Sequence, residues 1–226
     1  TTPFIDLNQV YTSHESHQVF LREYVRLEVN GVMKTVATGH MLEGQNGGPP
    51  TWADIKNQAR QMLGIELTDM DVLRVPLVAA DLYGNFIPGA NGYAQLVTPA
   101  GLLSGTADAP AQASSAYGAG RAFLNDIAHN AAPGAVDHDR DPTTAEVVKA
   151  ADADTDTGND IPLNLLGAAT TYDNELLDKH YVVGDGRGNE NIGLTAVHHV
   201  FHSEHNNRVD QIKAELLASG DVAFIN

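Results

Sequence analysis

Residues 187–206 read RGNENIGLTAVHHVFHSEHN, and this stretch determines most of what the sequence predicts. It places Arg187 and Glu190 three residues apart, directly ahead of a histidine-rich pattern. Apolar residues then recur with the period of a helix, which predicts a long final helix over about residues 192–218. By itself, such an Arg–Glu pair is typical of a surface ion pair at a helix start, where the helix dipole favours a carboxylate.

The order of these residues resembles the distal-side segment of the animal-type haem peroxidases (the peroxidase–cyclooxygenase superfamily), particularly their bacterial secreted members. In that family the pattern runs R-x-x-E, then L-T-x-x-H, then E-H-N-R-L; here Asn207 and Arg208 stand where Arg and Leu are usual. The resemblance implies that Arg187 stabilises the oxygen that departs when a peroxide bond breaks, because a guanidinium is permanently charged. It also implies that Glu190 binds haem b and can be esterified to a haem methyl group.

The N-terminus carries a second match to the same family, in the stretch TPFIDLN at residues 2–8. It is similar to the family's calcium loop, which runs T-x-F-x-D-x-S. The resemblance implies a Ca²⁺ site whose ligands are Thr2, Phe4, Asp6 and Asn8. Ca²⁺ takes about six to eight oxygen ligands, and the amide oxygen of Asn8 is an acceptable one in place of the usual serine.

Neither of the two histidines on which such a peroxidase depends has a matching position. In the family the distal histidine precedes the calcium loop, and the iron-ligating histidine follows the E-H-N helix. The resemblance therefore implies a central fragment of a larger peroxidase domain, which needs the remaining segments of that domain as partners and is inactive alone. Its expected parts are a calcium-loop segment (1–20), a spacer with a hairpin, helices and acidic loops (21–165), and the distal Arg/Glu segment with the long helix (166–226).

The composition limits the classes of partner and compartment. The 13 basic and 29 acidic residues give a net charge of −16, which argues against nucleic acid or an anionic membrane as a partner. The chain has no cysteine, so it has neither a disulfide framework nor a thiol nucleophile. No apolar run reaches the roughly 20 residues of a membrane span. Together with the resemblance, these features predict a secreted, extracellular bacterial protein.

Local signals predict a mainly α fold with long loops and a small β-hairpin, as part of a helical domain like that of the animal haem peroxidases. The hairpin is predicted at residues 24–38, because Asn30-Gly31 suits its tight turn. Thr51 and Asp54 are typical of the start of a helix that Gly64 ends. Further helices are predicted at 68–73, 119–131, 144–151 and 171–181.

The histidines of the final helix have a second interpretation. His198, His202 and His205 lie on one helical face and could bind Zn²⁺. The segment lacks the H-E-x-x-H pattern, however, so ordinary packing or hydrogen-bonding histidines are the favoured interpretation. His129 is also a histidine of interest, because its surroundings faintly resemble the family's distal helix.

Two acidic stretches, 137–141 and 152–160, place carboxylates at every second residue. This spacing resembles the start of an EF-hand loop. However, Gly158 falls one position late and Leu163 occupies the position of the final Glu. A solvated acidic loop is therefore favoured over a Ca²⁺ site.

Two functions follow from these observations. The first is a haem-dependent peroxidase that uses H2O2 and a small reducing substrate, with a halide, a phenol or Mn²⁺ left open. The second is a Ca²⁺-dependent extracellular binding or adhesion module with no redox activity. A distal W-G-Q-x-x-D-H helix upstream and an iron-ligating histidine downstream in the parent reading frame would favour the enzyme.

Overall fold

The structure is a computed structural model that describes residues 14–29, 31–45, 47–123 and 177–221, with the backbone of 135–136 and 147–148. In this part of the chain there are three α-helices: α1 (Glu15–Leu21), α2 (Trp52–Gln58) and α3 (Ile192–Ser219). Shorter helical turns occupy Ala59–Leu63, Asp69–Val72 and Ala113–Ser115. The described strands are β1 (Arg22–Val29), β2 (Val32–Met41), β3 (Ile65–Glu66), β4 (Leu96–Thr98), β5 (Gly101–Leu103), β6 (Ala111–Gln112), β7 (Ala135–Val136) and β8 (Val147–Val148).

The prediction of a mainly α fold is wrong, because the described chain mixes helices with several small sheets. The strands pair as β1–β2, β4–β5 and β7–β8, all antiparallel, and as β3–β6, which is parallel. Strand β8 lies inside the helix predicted at 144–151, since two consecutive β-branched residues favour an extended backbone. The helix predicted at 119–131 is absent from its described residues, 119–123, where Gly120 adopts a φ of 115° that no helix permits.

The hairpin prediction is confirmed. Strands β1 and β2 pair in register, with Val25 opposite Val36 and Val29 opposite Val32. One end of the hairpin reaches the core, because the amide of Gln58 on α2 accepts from the Tyr24 N–H at 3.1 Å. Strand β2 of this hairpin also contacts helix α3.

Helix α2 is also confirmed, together with its predicted start. Thr51 and Asp54 form a reciprocal capping box that satisfies the free N–H groups of the first turn. The helix continues into a π-helical turn that ends at Gly64, which has a φ of 67°. A Cβ at Gly64 would lie 2.7 Å from the Gly105 carbonyl oxygen, so only glycine fits there.

The segment that follows Leu177 is fastened to the start of α2. The Trp52 N–H donates to the His180 carbonyl at 2.8 Å, and the Val182 N–H donates to the Pro50 carbonyl at 2.8 Å. Phe123 stacks on the His180 ring with centroids 4.7 Å apart. The core around this junction consists mainly of large apolar side chains, including Val19, Phe20, Trp52, Ile55, Leu63, Val72, Leu96, Phe123 and Leu177.

Helix α3 agrees with the predicted bounds, but the apolar residues whose period predicted it do not form its buried face. The residues that it buries against the rest of the described chain are polar, namely His198, His202 and Asn206. Several of its large apolar side chains are exposed: Ile192, Val197, Val200, Phe201, Ile212 and Leu217. Within the described residues, no helix has both the length and the apolar character needed to cross a membrane.

Candidate functional site

A closed turn at residues 181–190 carries both predicted site residues of the distal segment. Asn189 is fully buried at its base. Its Nδ2 donates to the Tyr181 carbonyl at 2.7 Å, and its Oδ1 accepts from the Tyr181 N–H at 2.9 Å. One side chain thus satisfies both backbone groups of a residue eight positions earlier, which fixes the two ends of the turn together.

Arg187 projects from this turn and is held by Asp185. Its Nε lies 3.1 Å from Oδ1 and its Nη2 lies 3.0 Å from Oδ2, so the contact is bidentate. Oδ1 also accepts the backbone N–H of Arg187 at 3.0 Å. The Arg187 side chain is 56% exposed and that of Asp185 only 12%. The guanidinium is therefore anchored at one edge and open to solvent at the other.

The electrostatics of the turn follow from this pairing. The hydrogen bonds from the Arg187 side chain are the main cause that lowers the pKa of Asp185 below its ordinary value, against the opposing effect of burial. The same hydrogen bonds raise the pKa of Arg187, and the charge of Glu190 adds a weaker contribution in the same direction. Asp185 is thus ionised and Arg187 is charged at neutral pH.

Glu190 lies on the same turn but is not the bonded partner of the guanidinium. Its backbone N–H donates to the Arg187 carbonyl at 2.8 Å, and its side chain is partly exposed. The sequence suggested an ion pair between Arg187 and Glu190, but Arg187 pairs with Asp185 instead. The structure places Arg187 and Glu190 on one turn, with the Arg187 side chain exposed and Glu190 partly exposed.

Gly188 shows how tightly the turn packs. A Cβ at this position would lie 2.2 Å from the Cγ2 atom of Val183, so a larger residue would displace the turn. The Gly188 carbonyl accepts the Thr195 hydroxyl at 2.7 Å, which ties the turn to the first turn of α3. Asn191 caps that helix, since its Oδ1 accepts the Leu194 N–H at 2.8 Å.

Sequence reasoning missed the roles of Asp185, Asn189 and Asn191. Two of them had a readable local signal. An Asp two residues before Arg187 is suited to an Asx turn, and an Asn at the start of a helical pattern is a preferred N-cap. The bonds of Asn189 to Tyr181 had no such signal, because they depend on how the turn closes.

The histidine face of α3 serves packing in the described structure. The Nε2 of His202 lies 2.8 Å from the Leu42 carbonyl, and the Nδ1 of His205 lies 3.1 Å from the Asn206 amide oxygen. Burial lowers the pKa of His198 and of His202, so both rings are neutral at pH 7. Among the described residues, no group of three His, Asp or Glu side chains is placed to hold a metal ion.

Several other predicted sites lie outside the described residues. They are the calcium ligands Thr2, Phe4, Asp6 and Asn8, the histidine His129, and the acidic stretches 137–141 and 152–160. These sites stay predictions.

Comparison with known protein families agrees with the resemblance read from the sequence. The model of the animal haem peroxidase family matches residues 149–221. The match contains Arg187, Glu190 and all of α3, so the resemblance is confirmed for that part of the chain. No curated protein and no solved structure matches the chain.

Proposed function

We propose that residues 177–221 form the distal side of a haem peroxidase, in which Arg187 acts on the peroxide and Glu190 contacts the haem. At the level of the family, the match over residues 149–221 indicates a haem-dependent peroxidase that uses H2O2 and a reducing substrate. The assignment of individual residues goes further and rests on the geometry of the 181–190 turn.

The described residues fit one side of a haem site in their chemistry. Asp185 occupies Nε and Nη2 of Arg187, so the Nη1 donors remain for another ligand. The guanidinium is more than half exposed, and Glu190 lies partly exposed on the same turn. Haem, when bound, supplies the redox-active iron. A fixed cation and a carboxylate beside it are suited to a peroxide oxygen and to a haem methyl group, respectively.

Arg187 is proposed to act through charge and not through proton transfer, because a guanidinium stays protonated in proteins. Its N–H groups would orient the peroxide and stabilise the negative charge that develops on the departing oxygen. Such a donor is effective only if it is already in place, since reorienting it during the reaction would cost free energy. The bidentate contact with Asp185, on a turn that Asn189 closes, is the observation that supports this role most directly.

The further parts of this proposal concern residues and segments beyond the turn. Thr2, Phe4, Asp6 and Asn8 would bind Ca²⁺ with hard oxygen ligands, as in the family's calcium loop. The remaining segments of the peroxidase domain would supply the distal and the iron-ligating histidines. The protein would work outside a bacterial cell, as the resemblance to the bacterial secreted members of the family implies.

The proposed function is tested on the full protein that contains this chain. Titration with haemin should give a Soret band at one haem per protein, and H2O2 should then drive guaiacol oxidation. Glu190→Gln should leave the haem extractable by acidified solvent while some activity remains, because the amide cannot form the ester. Glu204→Gln, on the exposed part of α3, is the matched control. A protein that binds Ca²⁺ but no haem would contradict the proposal and favour a calcium-dependent binding module.

A further inference from the structure

The Asp185 carboxylate contacts Arg187 at three points. It accepts from Nε at 3.1 Å, from Nη2 at 3.0 Å and from the backbone N–H at 3.0 Å. The backbone contact fixes the position of the Arg187 main chain, and the two side-chain contacts fix the orientation of its guanidinium plane. An unpaired arginine side chain, in contrast, samples many rotamers, and ordering it costs side-chain entropy.

We propose that Asp185 is a positioning residue that turns the free Nη1 edge of Arg187 outward toward the reacting ligand. This inference rests on the proposed peroxidase function. The exposure of the two side chains agrees with it, since the Asp185 side chain is 12% exposed whereas the Arg187 side chain is 56% exposed. Because the Asp185 side chain is mostly buried, it can orient the guanidinium without contacting the substrate itself.

The geometry of the pair distinguishes positioning from a simple surface ion pair. An exposed pair between long side chains is mobile and is worth little. Here the carboxylate is carried by the shortest acidic side chain, at a backbone position that is already fixed by its own carbonyl, which accepts the Gly188 N–H at 2.9 Å. Arg208 offers the contrast. Its partner Glu204 is one helical turn away, and both side chains are at least half exposed.

The first experiment measures the orientation of Arg187 without haem. In ¹⁵N NMR of the protein, the Arg187 Nε–H should exchange slowly with water. Asp185→Asn should accelerate this exchange severalfold, because the neutral amide cannot accept from both Nε and Nη2 as the carboxylate does. The amide oxygen of Asn can still accept the Arg187 backbone N–H, so the turn should persist. The Tyr181 N–H donates to the Asn189 side chain, so its protection from hydrogen exchange reports whether the turn persists.

The matched control is the other arginine of this region. Arg208 donates from Nε to Glu204 at 2.6 Å and is exposed to a similar extent as Arg187. Glu204→Gln should change the Arg208 signal and leave the Arg187 signal as it was. Asp185→Asn should do the reverse.

The second experiment uses the haem-loaded full protein. Asp185→Asn should lower kcat/KM for H2O2 about tenfold to a hundredfold and leave kcat/KM for the reducing substrate unchanged, because only the placement of Arg187 toward the peroxide is lost. Asp185→Glu should restore part of kcat/KM for H2O2, since it keeps the charge. The Soret absorbance per protein should not change in either variant.

The outcomes separate two different failures. Unchanged Nε–H exchange in Asp185→Asn would overturn the inference, and so would faster exchange that leaves kcat/KM for H2O2 unaltered. An unchanged H2O2 reaction in Arg187→Ala would instead overturn the proposed function.

Discussion

The side-chain amide of Asn206 bonds both backbone groups of Met41. Its Oδ1 accepts the Met41 N–H at 2.9 Å, and its Nδ2 donates to the Met41 carbonyl at 3.0 Å. Asn206 is buried on α3, and Met41 is the last residue of β2. These two bonds hold the long helix to the hairpin across 165 residues of sequence.

Asn206→Ala should therefore destabilise the protein strongly. The substitution leaves a buried N–H and a buried carbonyl without partners, which costs about 2–4 kcal/mol in the free energy of unfolding. Urea denaturation measures this loss. Asn207→Ala is the matched control, because Asn207 is exposed and bonds only along its own helix. Equal midpoints for the two variants would contradict the role of Asn206.

Asn189→Ala should loosen the turn that carries the proposed site. The backbone N–H and carbonyl of Tyr181 would lose their hydrogen bonds to the Asn189 side chain. The Tyr181 amide should therefore exchange with solvent much faster than in the unaltered protein. Hydrogen exchange followed by NMR or mass spectrometry checks this. Amides in the middle of α3 should keep their protection, and a uniform loss along that helix would show that Asn189 supports the whole fold instead of the turn.

Stability should fall as the pH is lowered from about 6.5 toward 4. Burial, with a smaller effect from the charge of His14, lowers the pKa of His17 from 6.5 to about 4. In this window the unfolded chain binds a proton that the folded chain does not, so folding becomes less favourable as pH falls. His198 and His202, whose pKa values are also lowered by burial, act in the same direction.

The variant His17→Gln tests this dependence, because glutamine does not titrate. Between pH 7 and pH 5 the unaltered protein should lose about 2 kcal/mol more of its free energy of unfolding than the variant. Urea denaturation at the two pH values gives both numbers. If the two proteins lose the same amount, His17 is not held neutral by burial.

The calcium prediction is tested by calorimetry on the full protein. Asp6→Ala should weaken Ca²⁺ binding, because it removes the charged ligand of the predicted site. Asp154→Ala, in the acidic stretch 152–160, is the control and should have little effect. If tight Ca²⁺ binding survives Asp6→Ala but not Asp154→Ala, the ion is bound by the acidic stretch 152–160 and not by the N-terminal loop.

The sequence predicted the elements whose signals are local. The hairpin followed from Asn30-Gly31, the start of α2 from Thr51 and Asp54, and the length of α3 from its helical period. In each case the residues that decide the structure lie within a few positions of one another.

The fold class and part of the site could not be predicted in this way. The pairing of β3 with β6 joins residues more than 40 positions apart, and the bonds of Asn206 to Met41 span the chain. The apolar period of α3 predicted the helix but not its packing, since the described structure buries His198, His202 and Asn206. Strand pairing and the choice of buried helix face depend on tertiary contacts, which local propensity does not predict.

The central claim is that Arg187 acts on the peroxide, and stopped-flow spectroscopy of the haem-loaded full protein tests it most directly. The measured quantity is the rate of the haem spectral change after mixing with H2O2. Arg187→Ala should slow it about 10²–10³-fold while haem binding is retained, and Arg187→Lys should recover only part of the rate. Arg208→Ala, which removes an exposed arginine of α3, should leave it unchanged. An Arg187→Ala protein that reacts at the unaltered rate would contradict the account and leave Arg187 as one half of an ion pair with Asp185.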